Sequence, residues 1–265
     1  MSKGFLKNYV RALQSYWPTA RVLSRGYLHA VGLFFLMLSI PVRKRLFGRT
    51  LKRLPIVVAG KHLTFYVRDG SDISVLREMF TDKEYAFPEA ASYNPKHIAD
   101  FGAHIGAAAL FLHARYPHAK ITAYEADPEN FAVLQKNIAS LPNISAVHAA
   151  VAATRGGVTL YAHAGGSTRG TLSRDPDTTG ELQVPSVTFE DVVATGVDCV
   201  KFDVEGAEYN LLAAASLEAR EKVELYFGEF HESLTKKSPA EFTALFPRFT
   251  ATWHGVALVV LTRNF

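Results

Sequence analysis

"IADFGAHIGAAALFLHARYPHAKITAYEADPENF", residues 98–131, decides the fold. An apolar run ends at Phe101 and a glycine turn follows, with Gly102 and Gly106. An apolar helix then runs toward Tyr116, and "KITAYEA" reads as a second strand. The next helix opens with Pro128 in its first turn, where a fixed φ is already suitable. A strand–helix–strand–helix run of this length predicts parallel strands joined by crossover helices.

The alternation continues outward. "ISAVHAAVA" and "GGVTLYAH" read as strands, "VTFEDVVAT" as a short helix and "DCVKFDV" as a strand. "GAEYNLLAAA" is a helix and "VELYFGEF" a strand. "SPAEFTALF" is a helix with Ser238 as its cap and Glu241 three residues on. "ATWHGV" and "ALVVLTRNF" predict a terminal antiparallel pair. The stretch 163–182, rich in Gly, Ser, Thr and Asp, predicts a mobile loop. Upstream, "PIVVAG" and "HLTFYVRDG" predict a hairpin across Ala59-Gly60-Lys61, and "SDISVLREMF" a short helix capped by Ser71 or Asp72. The expected architecture is α/β: a Rossmann-like, doubly wound, mostly parallel sheet with helices on both faces, plus a basic apolar N-terminal segment. The expected boundaries are residues 1–53 for that segment, 54–92 for the hairpin and helix, and 93–265 for the main domain.

Ligands of such sheets bind at the carboxyl ends of the strands. The glycines at 102 and 106 would let backbone approach a ligand closely. Their G-x-x-x-G spacing departs from the G-x-G-x-x-G of a dinucleotide site. Asp100 suits a cationic ligand better than a phosphate. Glu125 ends the second strand about 20 residues on, where an acid can accept both ribose hydroxyls. Asp127 is better placed than Glu125 to cap the helix at Pro128. A nucleoside that carries positive charge and needs no phosphate-binding glycines points to S-adenosylmethionine.

Three blocks carry a resemblance: "IADFGAHIGAAAL", "AYEADPENFAVLQKNI" and "VTFEDVVATGVDCVKFDVEGAEYNLL", with a weaker echo in "DISVLREMFTDKEY". The chain resembles the FkbM-type family of S-adenosylmethionine-dependent methyltransferases, of the class I fold. "KFDVEGAE" is the most specific element. His104 stands where that family usually has Asn, and Glu190 where it usually has Asp. The resemblance implies a cofactor set of Asp100, Gly102, Ala103, His104, Gly106, Glu125 and Ala126. It also implies O-methylation of a small-molecule, glycan, lipid-linked or secondary-metabolite acceptor. The alternative is a non-catalytic, membrane-associated scaffold on the same fold.

The acids of "VKFDVEGAEYNLL", residues 200–212, fall at a strand end, and carboxylates there need partners. Strand alternation places Asp203 and Glu205 on one side and Lys201 on the other, without a catalytic role. Glu208 enters the next helix, where its charge favours the dipole. Asp203, Glu205 and His231 are the candidates to position or deprotonate an acceptor hydroxyl. Asp203, Glu205 and Glu229 are oxygen ligands of the hard-ion kind, but no further committed ligand is evident, so no metal is assigned.

Composition sets the remaining bounds. The chain is 48% apolar and 20% charged, which predicts a folded core. One cysteine, Cys199, excludes an intrachain disulfide and predicts a buried thiol. Residues 1–68 carry thirteen Lys and Arg and no acid, whereas the rest sums to −9. "YLHAVGLFFLMLSIPV", residues 27–42, lies inside that basic front and is short for a membrane span. The expected partner is an anionic membrane surface, with the protein cytoplasmic and peripheral on the membrane's inner face; the alternatives are a helix packed on the catalytic domain, and a true span or an organelle transit segment. No nucleic-acid-reading motif is present.

Overall fold

A computed structural model describes residues 3–163, 170–172 and 178–264. The chain forms two compact units, Met1–Glu84 and Tyr85–Phe265. In the first, helices α1 (Lys3–Val22) and α2 (Tyr27–Phe47) precede a hairpin of β1 (Lys52–Val58) and β2 (Lys61–Val67). Ala59 and Gly60 both take positive φ, 48° and 76°, as a two-residue hairpin turn of matching twist requires. Trp17 of α1 meets Phe34 of α2 edge-on, with centroids 5.5 Å apart.

Helix α3 (Gly70–Arg77) runs into a π-helical turn at Glu78–Asp82. Its cap is Asp69, which accepts from the Ser71 backbone N–H, and not Ser71 or Asp72. Asp72 is spent elsewhere: both its oxygens take the Arg68 guanidinium at 3.0 Å, buried. Asp69 also takes Lys44 at 2.9 Å and Arg49 at 3.2 Å, so some of the basic front is neutralised within its own unit. Among the described residues, no helix is long and apolar enough to cross a membrane.

The second unit begins its sheet with β3 (His97–Phe101), α4 (Ala107–Arg115), β4 (Lys120–Glu125), α5 (Pro128–Ile138) and β5 (Ile144–His148). Short β6 (Ala150–Val151) leaves this sheet, so "ISAVHAAVA" is two strands and not one. Strands β7 (Val158–His163), β8 (Gly170–Thr171) and β9 (Thr178–Val184) form a separate antiparallel sheet. Residues 178–182, expected as loop, are therefore strand, paired with β7. The remainder of that expected loop at 164–169 and 173–177 lies outside the described residues. β10 (Ser186–Val187) pairs with β6, and α6 (Phe189–Val193) follows. Then come β11 (Cys199–Phe202), α7 (Glu208–Ala214), α8 (Leu217–Glu221), β12 (Leu225–Glu229), α9 (Glu232–Thr235) and α10 (Pro239–Thr243). The chain closes on the antiparallel pair β13 (Phe249–His254) and β14 (Leu258–Arg263). Ser238 and Glu241 form the expected capping box.

The seven-stranded sheet has the order β13-β14-β12-β11-β3-β4-β5. Pairings from β12 to β5 are all parallel, and β14 is antiparallel to both its neighbours. This is the doubly wound, mostly parallel sheet. Strand order reverses between β3 and β11, and the crevice beyond their carboxyl ends is where such sheets bind ligands. Side-chain alternation then sorts the two central strands. Ala99, Phe101, Val200 and Phe202 enter the apolar core with Phe189, Leu211 and Tyr226. Asp100 and Lys201, register partners on adjacent strands, point the other way.

Gly102 shows how tightly the two strand ends meet. Its φ is +73°, and an added Cβ would sit 1.8 Å from the Asp203 carbonyl oxygen. Backbone cannot yield as a side-chain tip can. Gly102→Ala is expected to cost about 2–3 kcal/mol and lower the melting temperature by roughly 5–10 °C. Thermal unfolding followed by circular dichroism checks this; a midpoint unchanged within about 1 °C would refute the packing argument.

Candidate active site at the strand ends

The loop after β3 is tied to the end of β4. Gly102 and Ala103 N–H both donate to the Tyr124 carbonyl, at 3.1 and 3.0 Å. His104 adopts φ +50°, a left-handed conformation in which Asn, Asp and His are enriched. The His104 N–H then donates to Glu125 Oε2 at 2.7 Å. Glu125 Oε1 accepts from the Asp127 N–H at 2.8 Å. Asp127 caps α5 through the Asn130 N–H, as its position in the sequence suggests. Burial pushes the Glu125 carboxyl up to about 7, against the two backbone N–H groups that favour its charged form. Gly106 faces protein: at φ +91°, a Cβ there would lie 2.8 Å from Leu134 Cδ1 of α5. Ala126 offers its carbonyl to His148 Nε2 at 3.0 Å.

At the neighbouring strand end, β11 stops at Phe202, so alternation does not reach Glu205. The chain turns instead, with Glu205 at φ +50° and Gly206 at +94°. This turn gathers Asp203, Glu205 and His231, each with one ligand-capable atom within 4.8 Å of the others. His231 arrives from the loop after β12, preceded by Glu229. Its Nε2 lies 3.2 Å from Glu229 Oε2 and 3.8 Å from Glu205 Oε2. Its Nδ1 lies 2.8 Å from Oε1 of the fully buried Glu208.

Three residues take positions that the sequence reading missed. Glu208 does more than favour a helix dipole: Oε1 accepts from the Gly206 N–H at 3.0 Å and the Val204 N–H at 3.3 Å, besides His231. It fastens the acidic turn and the imidazole to one point. Lys201 is on the same side as Asp203, not opposite, because residues 201 and 203 share parity. Its Nζ is 3.0 Å from Asp100 Oδ1 and 3.9 Å from Asp203 Oδ2. It also donates to the Gly102 carbonyl at 3.0 Å. Tyr85 donates its hydroxyl to Asp203 Oδ2 at 3.4 Å, and its ring centroid is 5.7 Å from Lys201 Nζ. Parity was the readable signal for Lys201. For Tyr85 it was its place at the end of "DISVLREMFTDKEY".

The electrostatics follow from crowding acids in a half-buried turn. Burial pushes Glu205 up to about 7, and the Asp203 charge adds to this. Burial raises Asp203 as well, with Lys201 opposing. Burial alone would lower His231, but Glu208, Glu229 and Asp203 hold it up to about 11. Burial would likewise lower Lys201, yet Asp100 and Asp203 keep it above its ordinary value. The site gathers more carboxylates than cations, with the Lys201 ammonium and the His231 imidazole set among them.

Comparison with known proteins shows the family. The model of the Methyltransferase FkbM domain matches residues 100–250, more than half the chain. Methyltransferase sdnD of Sordaria araneosa is 34% identical over 96 residues, a match spanning 36% of each protein. Among solved structures, the S-adenosylhomocysteine-bound methyltransferase PaMTH1 of Podospora anserina has a TM-score of 0.40 at 12% identity, covering 72% of this chain and 88% of that one. Precorrin-6y C5,15-methyltransferase of Geobacter metallireducens has a TM-score of 0.38 at 12% identity, covering 65% and 81%. Likeness at that level adds nothing to the family match and the sheet order. With a doubly wound sheet and the matched span covering both strand ends, the chain belongs to the FkbM methyltransferase family, and its cofactor is S-adenosylmethionine.

Proposed function

We propose that the protein methylates a hydroxyl oxygen of a small-molecule acceptor, in the class of glycans, lipid-linked sugars or secondary metabolites. The observation that carries this reading is that neighbouring strand ends of the sheet carry two different sets of acids. Asp100 on β3 and Glu125 on β4 form one set, and Asp203, Glu205 and His231, after β11 and β12, form the other. The first group fits the cofactor. Asp100 is fully buried and paired through Oδ1 with the Lys201 ammonium at 3.0 Å, while its Oδ2 has no hydrogen-bond partner among the described residues and is the oxygen left for the cationic end of the cofactor. Glu125 closes β4 where a ribose diol can be accepted. Ala103, His104 and Ala126 line the same loop ends, while Gly102 and Gly106 serve by allowing the loop to pack.

S-adenosylmethionine, when bound, supplies a methyl on a sulfonium; its transfer forms a C–O bond, leaves the S–C electron pair on sulfur and releases the hydroxyl proton. The chain's contribution is orientation and proton handling. Asp203 and Glu205 accept hydrogen bonds from the acceptor hydroxyl and take its proton. His231, pinned by Glu208, fixes the spacing between Glu205 and Glu229. Carboxylates that accept from a hydroxyl favour O-methylation over methylation at carbon. A purely scaffolding role leaves this half-buried acidic cluster without a purpose.

We assign the membrane-surface role to residues 1–53, with 54–92 as an appended element and 93–265 as the methyltransferase domain. Helix α2 leaves Leu28, Phe35, Val42 and Leu46 exposed, at 86%, 63%, 41% and 66%. Spacings of seven, seven and four put them on one helical stripe. Arg25, Arg43 and Arg45 lie near its ends and are exposed. An apolar stripe flanked by arginines suits shallow insertion at an anionic leaflet, which on the cytoplasmic side carries most of the negative lipid.

Calorimetry with S-adenosylhomocysteine tests the cofactor assignment. Glu125→Ala is expected to weaken binding by about tenfold or more, one lost charge-assisted contact; undiminished affinity would end the ribose assignment. The sign with pH is also fixed. Glu125 has a folded value near 7 against an unfolded 4.5. Its protonated form favours the native state, and that contribution is lost as pH rises through 7. The ionised form is the better diol acceptor, so affinity should rise from pH 6 to 8 in the wild type and stay flat in Glu125→Gln. For the surface role, sedimentation with vesicles is the measurement. Leu28→Ser with Phe35→Ser should lower partitioning onto anionic vesicles at least about tenfold, since each side chain contributes on the order of 1.5–3 kcal/mol when buried. Partitioning indifferent to these changes and to lipid charge would rule the stripe out.

A further inference from the structure

The acidic turn answers a question that proton transfer alone leaves open: why so many carboxylates converge on one imidazole. Asp203, Glu205, Glu208 and Glu229 all surround His231. The ammonium of Lys201 is already shared between Asp100 and Asp203. Half-buried like charges at this density repel one another, and the His231 imidazole and Lys201 ammonium are shared among five carboxylates, so two cations offset them only in part.

The imidazole is held as a metal-ligating histidine is held. Glu208 is fully buried behind it and accepts from Nδ1, which would keep a proton there when Nε2 takes a cation. Nε2 faces Glu229 and Glu205, at 3.2 and 3.8 Å. A carboxylate that orients the far nitrogen of a histidine is the recurring outer shell of metal sites. Glu208 Oε2 has no hydrogen-bond partner among the described residues, so this carboxylate is committed to the turn and the imidazole alone. The three inner groups have one ligand-capable atom each within 4.8 Å of one another, close enough to share an ion. They also remain partly open to solvent, at 30%, 35% and 18% exposure for Asp203, Glu205 and His231, so water and acceptor oxygens could complete the shell.

We infer that Asp203, Glu205 and His231 hold a divalent cation of the oxygen-and-imidazole-binding kind, with Glu208 as its outer-shell carboxylate. Two carboxylates and one imidazole suit Mn²⁺ or a similar ion better than the thiolate-seeking metals. Such an ion would bind the acceptor's oxygens and make the hydroxyl more acidic. The cation displaces the proton otherwise carried at Nε2, as metal binding to histidine generally does. The inference rests on the functional reading above only for which end of the crevice faces the acceptor. The sequence lacked a committed ligand beyond the acids; the fold supplies it as His231, brought in from the next strand.

The test uses the full chain, stripped with chelator and titrated with Mn²⁺, with uptake read from loss of the free-ion paramagnetic resonance signal. One saturable Mn²⁺ per chain is expected, weakened about tenfold or more in Glu205→Gln and in His231→Gln. Glu205 is 35% exposed on a half-buried turn, and the melting curve of its variant checks that it folds. S-adenosylhomocysteine binding is measured on the same samples. Cofactor binding with no saturable Mn²⁺ uptake below millimolar overturns the ion site and leaves the methyltransferase reading standing. Uptake unchanged in both variants also overturns it, because the ion then lies elsewhere. Saturable uptake that depends on Glu205 and His231 supports the site whether or not the cofactor analogue binds.

Discussion

The ammonium of Lys201 holds the two halves of the site together. It sits on the floor of the sheet, 2% exposed, between Asp100 of the neighbouring strand and Asp203 of its own. A buried charge is tolerated only when paired, and a break in such a pair typically costs about 3–5 kcal/mol. The pairing therefore fixes more than stability. Asp100 lies in β3, just before the loop that approaches Glu125, and Asp203 begins the acidic turn. One cation specifies how far apart those two features lie. The Gly102 carbonyl, 3.0 Å from Nζ, binds the loop backbone into the same contact.

Glu208 has the matching role farther out. It is the first residue of α7, yet its carboxylate reaches back to the turn that precedes the helix and across to His231. That turn needs a fastening. Glu205 occupies a left-handed conformation that a non-glycine residue adopts only at a cost of order 1–3 kcal/mol. Two backbone N–H groups donating to one buried oxygen offset that cost. The strain is thus located where the side chain of Glu205 is turned toward His231, which an unstrained strand continuation would not have achieved.

Much of this was legible in the sequence, and the failures have physical causes. The sheet followed from alternation of apolar runs and glycine turns, because parallel strands need crossover helices and leave long repeats. The role of Asp127 as a cap, and so the freedom of Glu125, followed from position relative to Pro128. The capping box at Ser238 and Glu241 was local and was read correctly. The misplacement of Lys201 was an error of parity. Asp69 displaced Ser71 and Asp72 as the helix cap because Asp72 was drawn into a tertiary pair with Arg68, which no local rule contains. Expected loop at 178–182 proved to be strand because β7 supplied a partner, and polar composition does not forbid an exposed antiparallel edge. Tyr85 reached Asp203 across 118 residues of chain, beyond any periodicity.

The contrast between the two strand ends is the last consequence of these constraints. At β4, one carboxylate is held by two backbone N–H groups, without a side-chain cation. At β11, carboxylates outnumber donors, and an imidazole and an ammonium are divided among them. The first arrangement is rigid and nearly satisfied, suited to grip an invariant group. The second is crowded and partly open, suited to a partner whose own charge or hydroxyls complete it. That asymmetry is what the proposed function asks of a site that takes a cofactor at one strand end and an acceptor at the next. It arises here because the loop after β3 closes on backbone, whereas the turn after β11 closes on side chains. On the proposed assignment, substitutions near β4 act mainly on cofactor affinity, and substitutions around the acidic turn on proton transfer and acceptor binding.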